Sequence, residues 1–313
     1  MERWKTDLLP LLPQRAAEAL EAVSERDRLL EIRLRSDRPM QLVFDGWDRL
    51  VYAAGKRPML KRDECERLLT ALCEHSVYAW ERELENGFLT VSGGYRVGVC
   101  GRWIRTDAGV LRPVGADGFC IRIVREVVDA AKPLLPYVTH RDALFSTLLL
   151  SPPGCGKTTV LRDLVRIASD GLYGVRPMRV CVADERFELS GAYDGSHAFD
   201  LGQRTDVLSG LLKADAMERL IASMSPQLLV TDELSSERDV YAMLRARSCG
   251  IAVAATAHAD SYRALLLRSS MRMLQSERIF ERIVLLTDEG GVGTVRTVCD
   301  AEGNVLTERT ERL

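Results

Sequence analysis

The 313-residue sequence has no apolar stretch of roughly 18 residues or more, so it offers no candidate membrane-spanning helix. Leu8-Leu9-Pro10-Leu11-Leu12-Pro13 is too short and too proline-broken to cross a bilayer. No apolar core follows Met1-Glu2-Arg3-Trp4-Lys5, so no secretory signal peptide is expected. Charge of one sign is missing too. The 43 Lys and Arg stand against 45 Asp and Glu, a formal net charge of -2, which argues against a strongly nucleic-acid-binding surface. The eight cysteines include no Cys-x-x-Cys pair. Neither zinc ligation nor a disulfide framework is expected in a chain of this size; the pattern is that of reduced thiols in a cytosolic protein. Internal repeats and low-complexity segments are also lacking. A chain of this kind, if it works at a membrane, docks on membrane-embedded partners.

What is present is a phosphate-binding loop in mid-chain. Ser151-Pro152-Pro153-Gly154-Cys155-Gly156-Lys157-Thr158-Thr159 lies between the apolar run Leu148-Leu149-Leu150 and Val160-Leu161-Arg162-Asp163-Leu164-Val165-Arg166-Ile167, whose apolar residues recur at helical spacing. Strand, glycine-rich loop and helix are the context that a Walker A motif requires. Glycines let backbone N–H groups close around phosphate oxygens, and the helix N-terminus adds partial positive charge. Lys157 is placed to reach the β- and γ-phosphates, and the Thr158 hydroxyl to hold Mg²⁺. Gly154, Cys155, Gly156 and Thr159 complete the nucleotide-binding set, and ATP is the expected nucleotide. The one departure from the general pattern is Ser151, which replaces its first glycine.

Three further strands end in groups of the same chemistry. Gln227-Leu228-Leu229-Val230-Thr231-Asp232-Glu233 reads as a Walker B strand: Asp232 for Mg²⁺, Glu233 as general base on the attacking water. Val180-Cys181-Val182-Ala183-Asp184-Glu185-Arg186 is a second strand ending in acids. Asp184 and Glu185 could face the same nucleotide, since ligands bind at strand carboxyl ends in α/β sheets, or they could form a surface turn paired to Arg186. Ile251 to Ala257 leads to His258, either a γ-phosphate sensor or a capping and packing residue. Phosphoryl transfer commonly adds an arginine, for which Arg96, Arg102, Arg122, Arg125 and Arg204 are candidates.

The chain reads as two parts. Residues 1–130 form a mixed domain. Helices are expected over Ala16–Val23, Lys61–Cys73 and Tyr78–Asn86. Strands are expected over Leu29–Leu34 and Met40–Phe44, with a turn at Asp45-Gly46, and over Phe88–Val91, Tyr95–Cys100, Gly109–Arg112 and Phe119–Val124. Residues 131–137, Ala-Lys-Pro-Leu-Leu-Pro-Tyr, are the linker candidate. From 138 to 313, strands alternate with helices, the mark of a parallel sheet covered on both faces. Strands are expected at Thr147–Leu150, Arg179–Ala183, Leu228–Thr231, Ile251–Thr256 and Ile283–Thr287, followed by a hairpin over Val292–Leu306 turning at Glu302-Gly303-Asn304. The fold class is α/β.

These motifs together resemble the stage III sporulation protein AA family of endospore-formation ATPases, which is related to type II, type IV pilus and type IV secretion ATPases. The resemblance rests on residues 151–159, Asp184-Glu185-Arg186, Arg204-Thr205-Asp206-Val207-Leu208, Ser223-Met224-Ser225-Pro226, Asp232-Glu233 and Ala255-Thr256-Ala257-His258. It extends to Glu31-Ile32-Arg33-Leu34-Arg35, Gly93 to Gly101 and Ile121-Arg122-Ile123. That family's loop also starts with serine. The resemblance implies a C-terminal RecA-like P-loop NTPase domain with a smaller N-terminal α+β domain, and it places Asp184 and Glu185 in an Asp box and His258 in a His box. Asp184 would join Thr158 and Asp232 at the Mg²⁺, while Glu185 and His258 would serve catalysis. It implies a homo-hexamer in which N-terminal arginines, best matched by Arg96 and Arg122, approach the phosphates. It also implies a cytoplasmic motor, peripheral at the mother-cell face of the membrane around the forespore, energising a channel made of membrane-embedded sporulation proteins. Ser209-Gly210-Leu211-Leu212-Lys213-Ala214 departs from the family, which has Asp-Gly and a proline before Lys-Ala. A nucleotide-gated single-stranded nucleic-acid-binding protein is the alternative; the net charge and the lack of a basic tail element speak against it, and stable nucleic-acid binding is not expected.

Overall fold

The computed structural model describes residues 3–23, 29–44, 46–51, 59–74, 80, 84–85, 87–91, 93–105, 111–123, 126–191, 198–291 and 293–308. The chain divides into two compact units, Met1–Arg125 with Gly191–Ala198, and Glu126–Ser190 with Phe199–Leu313.

The first unit is built on β1 (Leu29–Arg35), β2 (Arg38–Phe44), β3 (Trp47–Leu50), β4 (Phe88–Val91), β5 (Tyr95–Arg105) and β6 (Leu111–Arg122). They form one sheet in the order β3-β2-β1-β6-β5-β4, antiparallel throughout. Alternation decides its faces: Leu29, Ile32 and Leu34 of β1 and Met40, Leu42 and Phe44 of β2 are buried. Their core takes in apolar residues of α1 (Arg3–Leu8), α2 (Gln14–Glu21) and α3 (Arg62–Leu72), among them Leu8, Leu20, Leu68 and Leu72. Gly46 turns β2 into β3 at φ 76°. The strands expected over 109–112 and 119–124 are one strand, β6. Gly115 and Gly118 read as punctuation, yet both pair with β5 across register shifts at Cys100/Gly101 and Arg102/Trp103. Gly101 marks the irregularity, because a Cβ there would collide with the Gly115 carbonyl and the Ala116 backbone. Most of the helix expected over 78–86 lies outside the described residues.

The second unit begins at Glu126. Residues 132–134 form a 3₁₀ turn and Leu135–Val138 a short helix, α4, with Ala131, Leu134, Leu135 and Val138 buried. A two-stranded ribbon, β7 (Thr139–His140) with β8 (Ala143–Leu144), leads into an eight-stranded sheet. Its strands are β9 (Thr147–Ser151), β10 (Val180–Asp184), β11 (Thr205–Ser209), β12 (Leu228–Thr231), β13 (Ala252–His258), β14 (Arg282–Thr287), β15 (Thr294–Cys299) and β16 (Val305–Glu308). The order is β11-β10-β12-β13-β9-β14-β15-β16; β11 through β14 run parallel, and β15 and β16 turn back antiparallel. The central strands are buried on both faces, which is why they read as unbroken apolar runs. One face packs on α5 (Lys157–Asp170), whose Val160, Leu161, Leu164, Val165, Ile167 and Ala168 join Leu149, Val182 and Val230. The other meets α6 (Lys213–Met224) and α7 (Glu237–Ser248) through Met217, Leu220, Val240 and Met243. Within the eight-stranded sheet β11 is the strand that the sequence does not announce; β3 in the first unit and the short β7 and β8 are likewise not expected from it. β11 is an edge strand without a fully buried residue, so it shows no apolar run.

Candidate functional site

Parallel pairing in register brings the motif ends together. Ala183 of β10 lies opposite Thr231 of β12, Thr231 opposite Ala255 of β13, and His258 opposite Ser151 of β9. Asp184, Asp232, His258 and the start of the phosphate loop therefore share the carboxyl edge of one sheet, where α/β proteins bind ligands.

The loop's geometry follows from its residues. Gly154 and Gly156 adopt φ 84° and 85°, values that L side chains resist. Gly156 is the N-cap of α5 and provides no side-chain cap, so the N–H groups of the first turn, at Lys157, Thr158 and Thr159, open toward the loop. Ser151 completes an extended strand, a conformation that needs no glycine. Its hydroxyl gives Lys157 an acceptor that glycine lacks. Lys157 is buried, and its ammonium donates to Ser151 O (2.9 Å), Ser151 Oγ (3.0 Å) and Pro152 O (2.9 Å) and meets His258 Nδ1 at 2.9 Å. Burial holds its pKa below the ordinary lysine value. Cys155 is buried, and its carbonyl accepts from Gly293 N at 3.0 Å, which ties the loop to the turn before β15.

Across from the loop, Thr158 Oγ1 donates to Asp232 Oδ2 at 3.1 Å. The other carboxylate oxygen accepts from Thr256 Oγ1 (2.6 Å) and Glu233 N (3.0 Å). Hydroxyl and carboxylate oxygens side by side suit a hard dication such as Mg²⁺. Glu233 sits at φ 25°, a sparsely populated backbone state that costs ~1–3 kcal/mol and persists only when neighbours impose it. Its N–H also donates to Thr256 Oγ1 at 2.9 Å, and its carbonyl accepts from Lys213 Nζ at 2.6 Å. The Glu233 carboxylate lies 3.9 Å from His258 Nε2 and 4.0 Å from Arg186 Nη1. Glu185, Arg186, Lys213, Asp232 and Glu233 line one cleft.

Asp184, expected among the Mg²⁺ ligands, is buried, and its carboxylate serves its own turn. Oδ1 accepts from Glu188 N (2.9 Å) and Leu189 N (3.2 Å), and Oδ2 from Ser190 N (2.8 Å) and Ser190 Oγ (2.6 Å). Desolvation still raises its pKa above the usual carboxylate value, against the lowering by the Ser190 bonds. Arg162 braces the same turn from α5, donating to Leu189 O (2.9 Å) and Glu188 O (2.8 Å) and stacking 3.5 Å over Phe199. Burial lowers its pKa to about 10.

Of the arginine candidates, Arg96, Arg102 and Arg122 belong to the first unit and Arg204 to the second. In the first, Arg96 stacks 3.8 Å over Phe88, and Arg122 Nε lies 3.7 Å from Glu31 Oε1 with its side chain 63% exposed. Arg102 is exposed in the same unit. Arg204, in the second, donates to Ser169 O at 3.0 Å, a packing role at the start of β11. Arg125 lies outside the described residues. The residues that sequence reading missed are Thr256 and Lys213. The available signals were a hydroxyl among the alanines of β13 and a lysine opening α6, where the helix dipole disfavours a cation.

Residues 2–306 match the protein-family model described as sporulation stage III, protein AA. The chain is 36% identical over 306 residues to stage III sporulation protein AA of Bacillus subtilis strain 168, covering 97% of this chain and 98% of that one. Among solved structures it is similar to the ATPase DotB of Legionella pneumophila, with a TM-score of 0.59 and 14% identity over 88% of this chain and 76% of that one. The pilus retraction motor PilT with bound ADP gives a TM-score of 0.58 and 17% identity over 97% and 84% of the two chains. Likeness at that level establishes the fold: a RecA-like P-loop domain with a smaller N-terminal α+β domain.

Proposed function

The chain belongs to the sporulation stage III, protein AA family, and from that premise we propose that it is an Mg²⁺-dependent ATPase, a motor of the secretion type. The observation that carries this reading is the Thr158 hydroxyl bonded to Asp232 at 3.1 Å, next to a loop that aims the buried Lys157 ammonium. We assign the triphosphate to Gly154, Cys155, Gly156, Lys157, Thr158 and Thr159, with backbone N–H groups and Lys157 as the donors. Thr158 and Asp232 would hold Mg²⁺, which supplies charge neutralisation at the β- and γ-oxygens. Glu233 takes the proton of the attacking water, and Glu185 lines the same cleft. His258, in contact with Lys157 and facing Glu233, can report phosphate occupancy to both. Asp184 acts through the turn that carries Glu185.

The family supports a ring, a homo-hexamer, acting with membrane-embedded sporulation proteins at the channel between mother cell and forespore. Among the described residues no helix is long and apolar enough to cross a membrane. The mode we favour is a cytoplasmic, peripheral protein docked on those partners. Purified full-length protein is expected to hydrolyse ATP, to lose turnover in excess EDTA and to regain it with Mg²⁺. Turnover indifferent to EDTA would rule out the Thr158–Asp232 assignment.

The resemblance supports a part for Arg96 and Arg122 in stabilising charge during phosphoryl transfer. The Arg122–Glu31 contact is long, at 3.7 Å, and its arginine is exposed, and pairs open to solvent contribute about 0–1 kcal/mol. Arg122→Ala should therefore leave the melting temperature nearly unchanged while lowering kcat more than affinity. A drop in thermal stability with no selective loss of turnover would return Arg122 to a structural role.

A further inference from the structure

Lys213 is the first residue of α6. A cation in a first helical turn opposes the helix dipole, so helix stability does not account for it. Its side chain is only 12% exposed. The ammonium turns back to the sheet edge, donating to Glu233 O at 2.6 Å and lying 3.5 Å from Asp232 O. Glu185 completes the arrangement, with Oε2 accepting from Lys213 N at 3.2 Å and lying 3.9 Å from Nζ.

These contacts converge on the peptide that most needs support. Glu233 stands at φ 25°, with its N–H held from one side by Asp232 Oδ1 and Thr256 Oγ1. From the other side its carbonyl is held by Lys213. Two anchors from different elements clamp one strained residue, which fixes where its carboxylate projects. Resting on the reading of Glu233 as general base, we propose that Lys213 is a positioning residue: it locks the Asp232–Glu233 corner in its left-handed conformation and keeps Glu185 beside it, so that the carboxylate is aimed at the attacking water. Lys213 touches neither phosphate nor water in this role.

The test uses full-length protein carrying Lys213→Met or Lys213→Arg. Lys213→Met keeps most of the packing stem and removes the donor. Its kcat should fall at least tenfold, with MgATP affinity by calorimetry within threefold of wild type, and Lys213→Arg, which restores two donors, should regain most of the turnover. A kcat within twofold of wild type in Lys213→Met overturns the proposal. So does a parallel loss of affinity, melting temperature and kcat that arginine does not rescue, since that marks a purely structural lysine. The backbone gives a readout independent of activity. In a crystal structure of Lys213→Met, residue 233 should relax to negative φ, whereas a retained positive φ overturns the clamp. A wild-type protein that binds MgATP without hydrolysing it would defeat the assignment of Glu233 as base, and the backbone measurement would still decide the role of Lys213.

Discussion

Lys157→Ala is expected to remove measurable ATP binding. In the structure the ammonium is buried, and it gathers acceptors from Ser151, Pro152 and His258 at 2.9–3.0 Å. Such a site holds a cation ready for exchange of its partners. Charge-assisted bonds to phosphate oxygens contribute ~1.5–3 kcal/mol each, so loss of two weakens binding by about 3 kcal/mol or more. At 1.4 kcal/mol per decade this is ~10²-fold or greater. Calorimetric titration with MgATP checks it, and an affinity within about twofold of wild type would remove the nucleotide from this loop. The variant also strips a donor from the Ser151 and Pro152 carbonyls. Its melting curve without nucleotide should be recorded alongside, to separate lost affinity from lost fold.

Glu233→Gln is expected to bind MgATP normally and to hydrolyse it ~10²–10⁴-fold more slowly, the range for loss of a general base. The substitution isolates the carboxylate. The contacts that shape the corner run through the Glu233 N–H and carbonyl, and an amide side chain leaves them in place. A drop in turnover therefore reports proton acceptance and not backbone relaxation. Turnover above half of wild type would shift the base to Glu185, which lines the same cleft. Affinity that fell together with turnover would mean that the carboxylate helps hold the nucleotide or its metal.

The difference between the two experiments follows the distance over which each part of the site is built. The phosphate loop is local. Gly154 and Gly156 supply left-handed backbone, Lys157 and Thr158 follow at once, and α5 begins there with Gly156 at its N-cap. Neighbours along the chain decide all of this, so it could be read directly from residues 148–167. The parallel strands were equally legible, because burial on both faces makes them uniformly apolar. The edge strand β11, half exposed, carried no such signal. β6 was read as two pieces because glycine marks a turn in isolation and a bulge only when a partner strand is present.

Around the acids, the sequence marks Asp232-Glu233 as a Walker B end and leaves Asp184 and His258 each with a structural alternative. Their different fates depend on what approaches from elsewhere. Asp184 is turned into its own loop by four bonds, braced by Arg162 from α5. Asp232 meets Thr158 from 74 positions away, and His258 meets Lys157 from 101. Lys213 and Thr256 clamp Glu233 from 20 and 23 positions off, on opposite sides in sequence. By itself the sequence determined a nucleotide loop between a buried strand and an amphipathic helix, and an α/β sheet to carry it, since glycine conformation, capping and apolar periodicity act over a few residues. Only the tertiary structure decided which carboxylate faces the loop, which one holds a turn and which backbone is strained, because those outcomes depend on the register of whole strands packed against helices.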